Sequence, residues 1–256
     1  MAQVIANPSP TQVLGRANEC LRRLLEAGLP FDALQLPITD AEARDRLVTY
    51  WSAGCYEPTT DQRLAREIMG LSFFGVEEAV RHFGLKPKKA QLTTLGKIRF
   101  SEAILRECQD THLLVGTFPL SILEIRAKVD RGLFCSYEDA WYNNGEPFAK
   151  LRCLVAWHLI RKTPVPNSTS KTWDEQQALL AENKETPQTN VMVYATIGHF
   201  LATGERLFPN LYVRCSDLDS GGPRVYLGRF DAHGLYVSYY WDVNRNGHIG
   251  LASARK

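Results

Sequence analysis

The sequence contains no apolar run near the ~20 residues that a membrane span needs. No basic-then-apolar leader opens it either, because Arg16, Glu19, Arg22, Arg23 and Glu26 interrupt its first thirty residues. Both absences point to a soluble, cytoplasmic chain with no membrane partner. Charge of one sign is also lacking: 30 lysines and arginines balance 28 aspartates and glutamates, a net of +2. Nothing global therefore draws the protein to nucleic acid or anionic lipid. Its six cysteines (Cys20, Cys55, Cys108, Cys135, Cys153 and Cys215) are scattered, with no C-x-x-C pair and no histidine at zinc spacing. A disulfide scaffold would use short, dense spacings, so free and mostly buried thiols are expected. The chain has no G-x-x-x-x-G-K-[ST], no G-x-S-x-G and no H-E-x-x-H. Neither a cofactor nor a metal is expected.

What is present is ordinary globular material, 45% hydrophobic and 23% charged, enough for one large domain or two modest ones. The first 110 residues read helical. Thr11 to Leu25 carries an apolar stripe closed by Gly28. Further helices are expected from the Thr39-Asp40 cap to Gly54, over Thr60 to Met69, over Gly75 to His82 with Gly84 as C-cap, and after Ser101. From His112 onward the pattern changes. Leu113 to Phe118 and Leu154 to Ile160 read as strands, and Ile122 to Ile125 as a strand or short helix. A helix capped near Ser170 or Thr172 runs to Leu180, and another opens near Pro187 and ends at Gly204. Four short strands follow: Leu211 to Cys215, Arg224 to Phe230, Leu235 to Trp241 and Ile249 to Ala254, separated by Gly/Asn/Asp turns. The expected class is α+β, a helical domain over 1–110 and a second domain over 111–256 ending in an antiparallel meander.

The tail has an unusual composition. Five of the ten tyrosines lie between residues 212 and 240. Strand alternation puts Leu235, Val237, Tyr239 and Trp241 on one face and Tyr236, Ser238 and Tyr240 on the other. Tyrosine offers stiff amphipathic area and serine adaptable hydrogen bonds, the mix a binding surface uses. The turn beyond adds Asn244, Asn246, Gly247 and His248, while Gly228, Gly234, Trp241, Ile249, Gly250, Leu251 and Ala252 look like scaffold.

That ending, from Trp241 through Asn244-Arg245-Asn246-Gly247-His248 to Lys256, resembles the variable region of proteins diversified by diversity-generating retroelements. In that family a reverse transcriptase copies a template repeat, with adenine-directed errors, into the 3′ end of the target gene. The resemblance implies a C-type-lectin-like fold for the second domain, a variable region of about 224–256, and a non-enzymatic role in binding a protein or other macromolecule. The positions it implies as ligand-contacting are Tyr226, Arg229, His233, Tyr236, Ser238, Tyr239, Tyr240, Val243, Asn244, Asn246, Gly247 and His248.

Other chemistry has thinner support. Asp217, Asp219 and Ser220-Gly221-Gly222 hint at a calcium loop. Asp231, His233, Asp242 and His248 would make a hydrolase-like acid/base cluster if their turns converge. Lys86, Lys88 and Lys89 form a short basic cluster that a nucleic-acid adaptor would use. His158 and His199 lie in apolar runs, as core histidines do.

Overall fold

The computed structural model describes residues 9–136 and 140–256. It separates the chain into two compact units, one ending at Thr49 and the other running from Tyr50 to Lys256. In the first, helix α1 (Pro10–Glu26) starts at a reciprocal cap in which Ser9 and Gln12 bond each other's backbone. A one-turn helix α2 (Leu36–Thr39) follows. Helix α3 (Ala41–Ser52), whose last turn belongs to the second unit, begins where the Asp40 carboxylate accepts from the Glu42 and Ala43 amides.

The second unit opens with helices α4 (Thr60–Met69), α5 (Val76–Phe83), α6 (Lys89–Leu95) and α7 (Glu102–Cys108). Thr59 and Gln62 cap α4 reciprocally, and Gly84 ends α5 at φ 59°, a left-handed conformation that suits glycine. Between α4 and α5 runs the short strand β1 (Phe73–Phe74). Next come β2 (His112–Thr117), α8 (Ile122–Lys128), α9 (Pro147–Lys150), β3 (Ala156–Arg161), α10 (Trp173–Gln177) and β4 (Lys184–Glu185). The chain finishes with α11 (Thr189–Thr203), β5 (Tyr212–Leu218), β6 (Arg224–Asp231), β7 (Gly234–Tyr240), β8 (Ile249–Leu251) and β9 (Ala254–Arg255).

Two mixed sheets result. One has the order β1-β2-β3-β9-β4, the other β7-β6-β5-β8. Helix α11, buried from Thr189 to His199, packs on α5, α8 and α9 and on strands of both sheets. Apolar on every side, it has the pattern of a fully buried helix. Its first free amide is satisfied from a distance, since the Asp217 carboxylate on β5 accepts from Thr189 N at 2.5 Å. Gly198 lies against the Phe74 ring, where an added Cβ would come within 2.9 Å.

The class is α+β, with most expected helices and strands in place. Several details differ. The expected boundary near 105–115 falls inside the second unit, because β1 pairs with β2 and α5 packs on α11. The basic cluster Lys86, Lys88 and Lys89 leads into α6, a helix the sequence reading did not assign. Ile122 to Ile125 is helical, with Ser121 and Glu124 capping it reciprocally. The meander ends at β7. Residues 249–254 split into β8, which pairs parallel to β5, and β9, which crosses to the other sheet and pairs with β3 and β4. All six cysteines are free. Cys108, Cys153 and Cys215 are buried, while Cys20 and Cys55 are exposed. Among the described residues no helix is long and apolar enough to cross a membrane.

Candidate binding face

The second sheet has one face inside and one outside, as alternation along its strands requires. Val213, Cys215, Val225, Leu227, Leu235 and Val237 point into the core. The register lines up the outer face in rows: Tyr212 beside Gly228 and Tyr236, Arg214 beside Tyr226 and Ser238, and Arg224 beside Tyr240. Tyr212 holds the first two rows together. Its ring packs edge-on against Tyr226, centroids 5.0 Å apart, and tilted against Tyr236 at 5.9 Å.

A bulge shapes one end of this face. Gly228 adopts φ 142°, and a Cβ there would sit 2.2 Å from the Leu211 carbonyl oxygen, so only glycine fits. Arg229 follows at φ 41° and donates its amide to that same carbonyl. The register shifts between Gly228 and Asp231, and the Arg229 side chain stands out in solvent. Around it lie two open cavities, of about 320 and 550 Å³, that share Tyr212, Arg229 and Asp231 in their walls. His233 and Tyr236 line the first, Asn246 and His248 the second. A side-chain hydrogen bond to Tyr212 raises the pKa of the Arg229 guanidinium.

The loop after β7 is held by its backbone. Arg214 is fully buried on an otherwise outward row, because this loop covers it. Its guanidinium donates to the carbonyls of Trp241 (3.1 Å) and Asn244 (2.9 Å) in the loop, and to Lys171 O and Gln176 Oε1 beneath. Trp173 N donates to Asp242 O, Ser170 N to Asn246 O, and Tyr212 N to His248 O. Five loop carbonyls thus meet donors that lie outside the loop. Two ion pairs brace its flanks. Arg224 grips both oxygens of Asp242 and stacks 3.6 Å above the Trp173 ring. Arg245 bonds the Glu175 carboxylate, lowering its pKa to about 2.

All twelve expected contact positions carry accessible surface. Arg229, His233, Tyr236, Tyr239, Val243, Asn244, Gly247 and His248 are exposed, and Tyr226, Ser238, Tyr240 and Asn246 are half-buried. Alternation alone assigned Tyr239 and Trp241 to the core. Both are exposed instead, Tyr239 at 44% and Trp241, one residue beyond β7, at 54%. Tyr239 rests edge-on against Trp141, which donates its indole N–H to Val237 O. Sequence reasoning missed Tyr212 and Arg214. A charged residue within the strand-like run Tyr-Val-Arg-Cys was the available signal for the second.

The remaining candidates separate in space. Asp231 and His233 form a local pair, His233 Nδ1 lying 3.2 Å from Asp231 Oδ1, and His248 faces the neighbouring cavity. Asp242 sits at the other end of β6, roughly 20 Å away by strand rise, and is occupied by Arg224. The four therefore do not converge. Asp217 caps α11, and Asp219 accepts from the Gly221 amide. Among the described residues no three His, Cys, Asp or Glu side chains are grouped to hold a metal ion. Lys86, Lys88 and Lys89 are exposed around the start of α6.

No family model, curated protein or solved structure matches the chain. What the face can do rests on its own atoms. It offers stiff aromatic rings, amide and imidazole groups and the exposed Arg229 guanidinium on one sheet, a combination suited to gripping a ligand.

Proposed function

We propose that the protein is a non-enzymatic, ligand-binding member of the retroelement-diversified variable proteins, displaying its variable site on a C-type-lectin-like domain. One observation carries the reading. The 241–248 loop is fixed through its carbonyls, while the side chains of Val243, Asn244, Gly247 and His248 stand exposed. Backbone anchoring lets side chains change without changing the shape that presents them. The residue types on β6, β7 and this loop, among them Asn, Tyr, Ser, His and Gly, are those that adenine-directed codon change produces. The return of β9 to the sheet of β2 and β3, around a central helix, is compatible with the lectin-like fold. A broad face with shallow cavities suits a protein or other macromolecule.

Two tests bear on this. The neighbouring DNA should hold a near-copy of the segment encoding the last strands and loop, differing mainly at adenines, beside a reverse transcriptase gene; without such a repeat the diversification reading fails. At the bench, a library randomised at Tyr236, Tyr239, Val243, Asn244, Gly247 and His248 should fold with melting temperatures within a few degrees of the parent. Widespread unfolding in that library would show that these side chains hold up the domain instead.

A further inference from the structure

The first unit has almost no core of its own. Among its described residues only Ala43 and Thr49 are buried, and α1 buries none. Phe31 is 76% exposed, Ile38 68% and Leu14 63%, and Val13, Leu21, Leu25, Leu36 and Val48 are exposed with them. A helical segment of this length, with its apolar side chains left in water, lacks the burial that offsets chain entropy.

The sequence of α1 says what kind of surface would cover it. Leu14, Ala17, Leu21 and Leu24 recur at 3-4-3 spacing, the seam of a helix that packs on another helix. Its charges lie on the opposite flank, where Glu19 accepts from Arg22 at 2.8 Å and Arg23 at 2.7 Å, and Glu26 pairs with Arg22. The seam is therefore free of charge, and two identical seams meet without repulsion. The unit is balanced as well, five arginines against six carboxylates up to Thr49. An acidic polymer or an anionic bilayer would call for an excess of basic residues.

We infer that the first unit is a self-association module, in which the apolar seam of α1 and the side chains of Phe31, Leu36, Ile38 and Val48 are covered by a second copy of this chain. Covering eight large apolar side chains on each copy removes on the order of 800 Å² per partner from water, the size of a standard specific interface. Two heptads are short for a lasting two-helix coil, so the residues after α1 complete the interface. A two-fold arrangement uses the same patch on both copies. This inference is independent of what the C-terminal face binds.

Sedimentation velocity on the full chain decides it. The intact protein should sediment at twice 28.9 kDa and dissociate on dilution. The double variant Leu14→Glu/Leu21→Glu should sediment as a monomer with its far-ultraviolet circular dichroism largely kept, and Arg16→Gln, on the charged flank, should stay dimeric. An intact chain that remains monomeric at every concentration overturns the inference, whether or not the double variant folds. So does a dimer that the double variant leaves intact. A monomer that floats with phosphatidylserine vesicles would also overturn it, assigning the seam to a lipid surface.

Discussion

Arg214 and Gly228 set the shape of the candidate face from beneath its exposed side chains. Replacing Arg214 by methionine leaves Trp241 O, Asn244 O and Lys171 O without their buried donor. We expect a loss of roughly 2–4 kcal/mol in urea denaturation. Gly228→Ala puts a Cβ against the Leu211 carbonyl at a φ that L-residues rarely adopt, and should cost at least about 2 kcal/mol. Asn244→Ala removes a side chain but no anchoring carbonyl, and should stay within about 0.5 kcal/mol. If all three variants lose equal stability, the division between scaffold and display positions is wrong. Only part of that division was legible in the sequence. The Tyr/Asn/Ser/His tail, through the resemblance it carries, pointed to positions that the structure leaves exposed or half-buried. Arg214 was hidden, because its acceptors at 171, 176, 241 and 244 converge only through the fold.

Among the elements, those with local start and stop chemistry were readable in advance. Helix α4 is bounded by its Thr59/Gln62 cap and α5 by the left-handed Gly84. Helix α6 was not, since Lys88 at its N-cap has no side-chain acceptor and lysines read as turn; the Gln91 side chain caps it by accepting from Lys88 N. The parallel pairing of β8 with β5 was equally hidden, because a three-residue strand has no register signal of its own. Helix α11 depends on a distant residue for its start. Asp217→Ala should therefore destabilise the protein by about 1–2 kcal/mol although it lies 28 positions from Thr189. Thermal melting checks this; an unchanged midpoint would mean that another group satisfies the Thr189 amide.

For the whole molecule, buried imidazoles set the response to acid. Burial lowers the pKa of His112 and of His158 to about 4, from an ordinary value near 6.5. His158 Nε2 has no hydrogen-bond partner, whereas buried His199 meets Glu205 at 2.9 Å. His112 and His158 are neutral when folded above about pH 4, and burial lowers His82 and His199 in the same direction, so the unfolded chain takes up these protons first. Stability should be greatest above pH 6.5 and fall towards about pH 4, by at most ~1.4 kcal/mol per pH unit for each histidine. Glu175 acts lower: its pairing with Arg245 contributes above the ordinary carboxylate range near 4.5 and is lost as pH falls through about 2. Urea titrations at about pH 7.5 and about pH 5 should show the first slope, and His158→Phe should flatten it. A slope that His158→Phe leaves unchanged would assign it to other groups. Pairing through the first unit would also give each assembly two binding faces, so that targets with repeated epitopes would be held by avidity.

The carbonyl-anchored loop has a kinetic consequence. Its conformational entropy is lost when the chain folds, leaving little to be lost on meeting a target. Encounter should thus proceed at similar rates for versions of the loop substituted at Val243, Asn244 or His248, with a shape already in place. Differences among versions should lie in residence time, in how long each set of side chains keeps its target once contact is made.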